Sequence, residues 1–147
     1  MRIDELLEKT YWIVDILPKQ VPKDSAGQYF AIEEYYLKEP QLSVLRQKLA
    51  RIILKLNCYY DIYVINEIKE EVNESAVRNP NPDDLINLFS GEHAVDRVCI
   101  LVEGEDALIV SNRDETYLTV YGPTSRLLNV ISILAQAEGM HVWRPSN

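Results

Sequence analysis

The stretch that decides the fold runs from Gln41 to Asn57 and reads QLSVLRQKLARIILKLN. Leu42, Leu45, Leu49, Ile52, Ile53 and Leu56 recur at helical spacing and fill one stripe roughly 100° wide, which predicts a helix with a core-facing side. Pro40 suits its start, where a missing N–H costs little. Lys48, Arg51 and Lys55 occupy the other flank near the end where cations complement the helix dipole. Directly after it, Tyr59 to Ile65 changes to period two and predicts a strand, with Tyr60, Ile62 and Val64 on one face and Tyr59, Asp61 and Tyr63 on the other.

Working outward toward the N-terminus, Ile3, Leu6, Leu7, Thr10, Val14 and Leu17 predict a first helix over residues 3–17, ended by Pro18. On that reading Trp12 and Ile16 project from the opposite side and need cover from another segment. Ser25 followed by Gln28 resembles a capping box and predicts a helix over 26–37, although Tyr29, Phe30, Ile32, Tyr35 and Tyr36 suit a strand as well.

Toward the C-terminus, residues 66–79 read as acidic and irregular, with a turn or two of helix around Ile68 and Val72. In Asn79-Pro80-Asn81-Pro82-Asp83-Asp84, Asn81 can cap, Pro82 fits the first helical position and the aspartates suit the positive dipole end, predicting a short helix to about Phe89. Residues 98–103, 107–111 and 116–121 then read as a three-stranded meander with tight polar turns. Gly122-Pro123 opens a helix buried through Leu127, Val130, Ile131, Leu134 and Ala137 and closed by Gly139. Residues 140–143 form a last short strand. The sum is a single α+β domain over 1–147, a mainly antiparallel sheet of about five strands with helices packed on one face.

Composition narrows the function classes. The 147 residues are 47% hydrophobic, enough for one core. Fifteen basic against 23 acidic side chains leave a net charge of −8, which weighs against nucleic acid and anionic membrane, since both demand neutralisation of phosphates. The excess falls late in the chain, because residues 58–147 hold six Lys and Arg against fifteen Asp and Glu. A partner drawn by that field is basic. Cys58 and Cys99, each beside an apolar run, read as two buried reduced thiols. With no signal-peptide pattern and no run of 18 apolar residues, the expected compartment is a reducing cytoplasm.

Catalytic chemistry has few candidates. His93 and His141 lack a Cys, Ser or acid at a telling spacing, there is no nucleophile elbow or glycine-rich phosphate loop, and no metal-ligand pair or calcium loop occurs. No cofactor is expected. Tyrosine, present nine times, is the informative residue. Tyr59 and Tyr63 flank Asp61, and Tyr117 and Tyr121 flank Thr119, an arrangement common at interfaces because tyrosine joins large contact area to a polar tip. Trp143 and Arg144 are further candidate anchors. Ser125, Asn129, Ser132 and Gln136 form an uncharged face on the final helix, a candidate for self-association as a homodimer.

The function these residues suggest is a non-catalytic binding protein. An acidic, tyrosine-rich surface would engage a protein partner, in the manner of an immunity protein, antitoxin or adaptor. The alternative is a small-molecule sensor or enzyme, with a pocket between sheet and helices lined by tyrosines and by His93 or His141.

Overall fold

The computed structural model describes residues 3–22, 24, 26–66, 76–91 and 94–146. Its elements in chain order are α1 (Ile3–Leu6), β1 (Tyr11–Asp15), α2 (Ala26–Tyr36), α3 (Gln41–Leu56), β2 (Ile62–Asn66), β3 (Ala76–Arg78), α4 (Pro82–Ser90), β4 (Arg97–Val102), β5 (Ala107–Asn112), β6 (Leu118–Tyr121), α5 (Ser125–Ala137) and β7 (His141–Trp143). The strands make one seven-stranded sheet in the order β3-β2-β4-β5-β6-β1-β7. Every pairing in it is antiparallel.

The α+β architecture with helices on one face is as the sequence predicts, but two strands are added. One replaces most of the expected first helix. Tyr11-Trp12-Ile13-Val14-Asp15 is aromatic and β-branched, and it fits between β6 and β7 with Trp12 opposite Val120 and Val14 opposite Val142. Period two also removes the difficulty of Trp12. As a strand, Trp12 and Val14 share the helix-covered side, where Val14 belongs to the main core and half-buried Trp12 packs against it. The other addition is β3, which pairs Ala76, Val77 and Arg78 with Ile65, Val64 and Tyr63. A three-residue edge strand has too little pattern to be read against an acidic background. The reading of residues 67–75 and the cap at Ser25 lie outside the described residues.

The strand predicted from Tyr59 starts only at Ile62, because residues 57–60 still turn off α3: the backbone N–H groups of Asn57, Cys58 and Tyr59 return to Ile53, Lys55 and Leu56 carbonyls. Cys58 therefore lies exposed in that turn, contrary to the expectation of two buried thiols, while Cys99 on β4 is buried.

The predicted stripe of α3 is the floor of the main core, with Leu45, Leu49, Ile52, Ile53 and Leu56 buried together with Leu85 and Phe89 of α4 and Leu127, Ile131 and Ala135 of α5. Against them stand Ile62 and Val64, Val98, Ile100 and Val102, Ile109, and Leu118 and Val120 from the sheet. At the start of α3, Glu39 accepts from the Ser43 backbone N–H at 2.9 Å and from its hydroxyl at 2.8 Å, taking the capping role that Pro40 cannot. Asn81 caps α4 through the Asp83 N–H at 2.9 Å, as its sequence predicts. Thr124 caps α5, and Gly139 follows it at φ +74°, the left-handed position expected for it.

One buried residue of α3 breaks the apolar pattern. Arg46, 1% exposed, donates from Nε to the Phe89 carbonyl at 3.1 Å and from one terminal nitrogen to Ser111 Oγ at 2.8 Å and the Asn112 carbonyl at 3.4 Å. Its guanidinium lies 5.1 Å from the Phe89 ring centre. It thus ties the end of α4 to the end of β5. No carboxylate pairs with it among the described residues, and burial pushes its pKa down to about 10.

Candidate functional site: a tyrosine-lined pocket on the second face of the sheet

Strand register determines what the other face of the sheet carries. Tyr63, Leu101, Leu108, Tyr121 and Tyr11 follow one another across β2, β4, β5, β6 and β1. The next row runs Ile65, Cys99, Val110, Thr119, Ile13, Trp143. Beyond it, Arg97 faces Asn112 and Asp15 faces His141. Among the described residues, apolar cover lies over the middle of this face, where Leu6 with Ile3 and Leu7 packs on Ile65, Cys99, Leu108 and Val110.

Past α1 the face opens into a pocket of about 510 Å³. Its floor is Val110, Asn112, Thr119 and Ile13. Tyr11, Tyr117 and Tyr121 stand around it, Leu7 just after α1 and Tyr29 of α2 reach in, and Gln20, Trp143 and Pro145 close one side. The Tyr11 and Tyr121 rings lie 5.5 Å apart at a tilt of 48°. Gln20 is fixed where it stands by accepting from the Ser146 N–H at 2.8 Å, so the segment after β7 is tied to the one after β1.

Two of the pocket's tyrosine hydroxyls are committed to carboxylates. Tyr117 donates to Glu115 Oε2 at 2.8 Å, while Asn112 Nδ2 donates to Glu115 Oε1 at 2.9 Å; Tyr29 donates to Glu33 Oε2 at 3.2 Å. Burial together with the Glu33 charge and hydrogen bond pushes the Tyr29 pKa up to about 12. Burial and the bond to Glu115 raise Tyr117, and burial with the neighbouring Tyr11 raises Tyr121. These phenols are donors and ring faces at neutral pH.

Behind Tyr29 and Trp143 lies Asp15, a carboxylate only 4% exposed, which accepts from the Ile16 N–H at 2.8 Å. Burial raises its pKa above the usual 3.8, opposed by its backbone hydrogen bonds, the nearby Trp143 indole and His141. The Trp143 Nε1 atom is buried yet has no acceptor in hydrogen-bonding geometry among the described residues. No cluster of His, Cys, Asp or Glu among the described residues could hold a metal ion.

The residues singled out from sequence separate into several places. Tyr117, Tyr121 and Trp143 share the pocket. Asp61 and Tyr63 stand at the β3 edge, where Arg78 bonds Asp61 at 2.9 Å and Glu103 at 3.1 Å, Tyr63 lies 3.4 Å from Glu103, and Asn79 bonds Asp61 at 2.9 Å. Tyr59, 68% exposed, sits in the turn after α3 and not beside Tyr63 on a strand. Arg144 lies 6.0 Å from the Trp12 ring. Ser125, Asn129 and Gln136 are exposed and Ser132 half-buried on α5, with the exposed Ile133 among them. His141 opens β7 beside Asp15, and His93 lies outside the described residues.

Sequence reasoning missed Tyr11, Asp15, Tyr29, Arg97 and Glu115. The first two had a signal: the alternation of Tyr11, Ile13 and Asp15, visible once that segment is read as a strand. Glu115 and Arg97 had none, being ordinary charges beside turns. No helix among the described residues is long and apolar enough to cross a membrane. Compared with protein-family models, with curated proteins and with solved structures, the chain finds no match in any of the three.

Proposed function

We propose that this is a non-catalytic binding protein whose recognition site is the tyrosine-lined pocket, and that it holds a small molecule there. The observation that carries this reading is the pocket itself: about 510 Å³, within the range of small-molecule sites, with rings from several elements around a few fixed polar groups. Preorganisation supports it too. Glu115, Tyr117 and Asn112 hold one another, and Gln20 is held by Ser146, so little ordering remains for a ligand to impose.

The test is a small-molecule screen by ligand-observed NMR, repeated on Tyr121→Ala and Tyr117→Ala. These half-buried positions should tolerate truncation with an unchanged far-ultraviolet circular dichroism spectrum. Hits lost in both variants support the reading; hits that persist in both, or an empty screen, contradict it.

A second reading, a basic protein partner met through an acidic surface, is favoured by the β3 edge. There two half-exposed carboxylates, Asp61 and Glu103, share the single guanidinium of Arg78. Charge reversal at Asp61 and Glu103 should abolish co-purification of such a partner, and retention of the partner by that variant would remove the reading.

A further inference from the structure

The pocket has a charge imbalance that indicates what it would hold. Five described Asp and Glu residues are buried or half-buried: Asp15, Glu33, Glu105, Glu115 and Glu138. Two of them have cations. Glu138 pairs with Arg51 at 2.8 Å and Lys55 at 3.1 Å, and Glu105 pairs with Arg126 at 3.3 Å. The remaining three, Asp15, Glu33 and Glu115, form no ion pair among the described residues; one lines this pocket and the other two lie next to residues that do. Glu115 is on its wall, while Glu33 and Asp15 stand close to Tyr29.

Carboxylates withdrawn from water without a counter-charge are costly. Their hydrogen bonds come from neutral donors: Tyr117 and Asn112 for Glu115, Tyr29 for Glu33, the Ile16 N–H for Asp15. Each Glu115 oxygen takes one such bond and keeps acceptor capacity for a further donor. The opposing charges are Arg97 on the pocket wall and His141 on β7 beside Asp15. In the lining Glu115 stands against Arg97, and Glu33 and Asp15 beside Tyr29 add further acidic groups around the pocket. The surrounding walls are tyrosine and tryptophan rings, whose faces attract cations in their own right.

We infer that the pocket takes an organic cation, an ammonium group on an apolar or aromatic body, seated against the rings of Tyr117, Tyr121 and Trp143 with Glu115 as its counter-charge. The inference rests on the pocket reading of the preceding section and adds the ligand class. The −8 net charge of the chain would draw such a ligand in and make binding weaken with salt.

The experiment uses three probes of one shape: benzyltrimethylammonium, its uncharged carbon isostere neopentylbenzene, and the anion phenylmethanesulfonate. Each is titrated into the full chain while the Trp143 indole N–H is followed by proton–nitrogen NMR. The expected result is that the cation moves that resonance and binds at least about tenfold more tightly than either other probe. Glu115→Gln, which removes the charge and keeps one acceptor, should cut the cation's affinity about tenfold more than it cuts that of neopentylbenzene, with Asp15→Asn giving a smaller difference of the same kind. Equal binding of all three probes would overturn the cation inference and leave the pocket reading standing. If none of them moves the Trp143 resonance, both fall.

Discussion

The two faces of this sheet are built from the same strands, residue by residue in alternation, yet they solve different problems. One meets α3, α4 and α5 in an apolar core interrupted by a single arginine, whose donors reach a carbonyl of α4, a second carbonyl on β5 and the Ser111 hydroxyl. Among the described residues the other is covered by one turn of helix over its centre and otherwise presents tyrosines, polar amides and a carboxylate without an ion pair around a cavity. What separates them is available cover. A face with three helices can dispense with hydroxyls, while a half-covered face needs residues that tolerate both water and apolar neighbours, and tyrosine does so. A face committed to packing is costly to alter; a face left with polar rings and a cavity is available for a ligand.

That contrast would break most visibly under truncation. Leu49→Ala and Ile53→Ala, at positions with no exposure, should each cost about 3 kcal/mol in urea unfolding. Comparable losses for Tyr121→Ala would erase the distinction between the faces. Arg46 sharpens the contrast. Arg46→Ala leaves a cavity and strips donors from buried acceptors, for an expected loss of about 2–3 kcal/mol. Arg46→Met fills the space without a buried charge and should recover most of it. If the methionine variant is as unstable as the alanine one, the hydrogen bonds to Phe89 and Ser111 matter more than packing.

How much of this contrast was legible beforehand follows from the same asymmetry. The helix-covered face was readable because hydrophobic periodicity reports packing: the stripe of α3, the Asn81 cap and the closure at Gly139 all came from local pattern. The segment Tyr11–Asp15 was misread because Leu6, Leu7 and Val14 happen to fall at helical spacing, and only its partners β6 and β7 reveal the strand. Of the pocket, Tyr117, Tyr121 and Trp143 were found by residue type alone. Asp15, Tyr29, Glu115 and Arg97 arrive from two strands, a helix and a turn, and nothing in linear order brings them together. Arg46 was hidden for a similar reason, since a lone cation on an amphipathic helix ordinarily belongs on the wet side.

Smaller effects concern charge. Glu138, with its side chain 8% exposed, has its pKa held below the usual carboxylate value by Arg51 and Lys55, against the opposing effect of burial. A lowered folded-state pKa stabilises above the ordinary value of 4.5, and the benefit is lost as pH falls through the lowered one. Glu138→Gln should therefore cost under about 1 kcal/mol at pH 7, because both partners are largely hydrated, and the cost should vanish in acid. Asp15 has the opposite sign. Its raised pKa means that the folded state favours the protonated form; this contribution is complete below the ordinary 3.8 and is lost as pH rises through the raised value. Asp15→Asn should consequently unfold at higher urea than the parent at pH 7, with the advantage shrinking toward pH 3. An Asp15→Asn chain that is less stable at pH 7 would mean that the charge is compensated within the fold. Tyr121→Phe should change stability least, by under about 0.5 kcal/mol.

Hydroxyl-radical footprinting of the free chain, and of the chain with benzyltrimethylammonium, reads both faces in one measurement. Tyr11, Tyr117, Tyr121 and Trp143 should oxidise in the free protein and be protected by the cation, while Tyr59 stays reactive throughout and Phe89 stays inert. Oxidation of Phe89 at a rate like that of Tyr121, or no change at the four pocket rings when the cation is present, would contradict a dry structural face set against an open binding one.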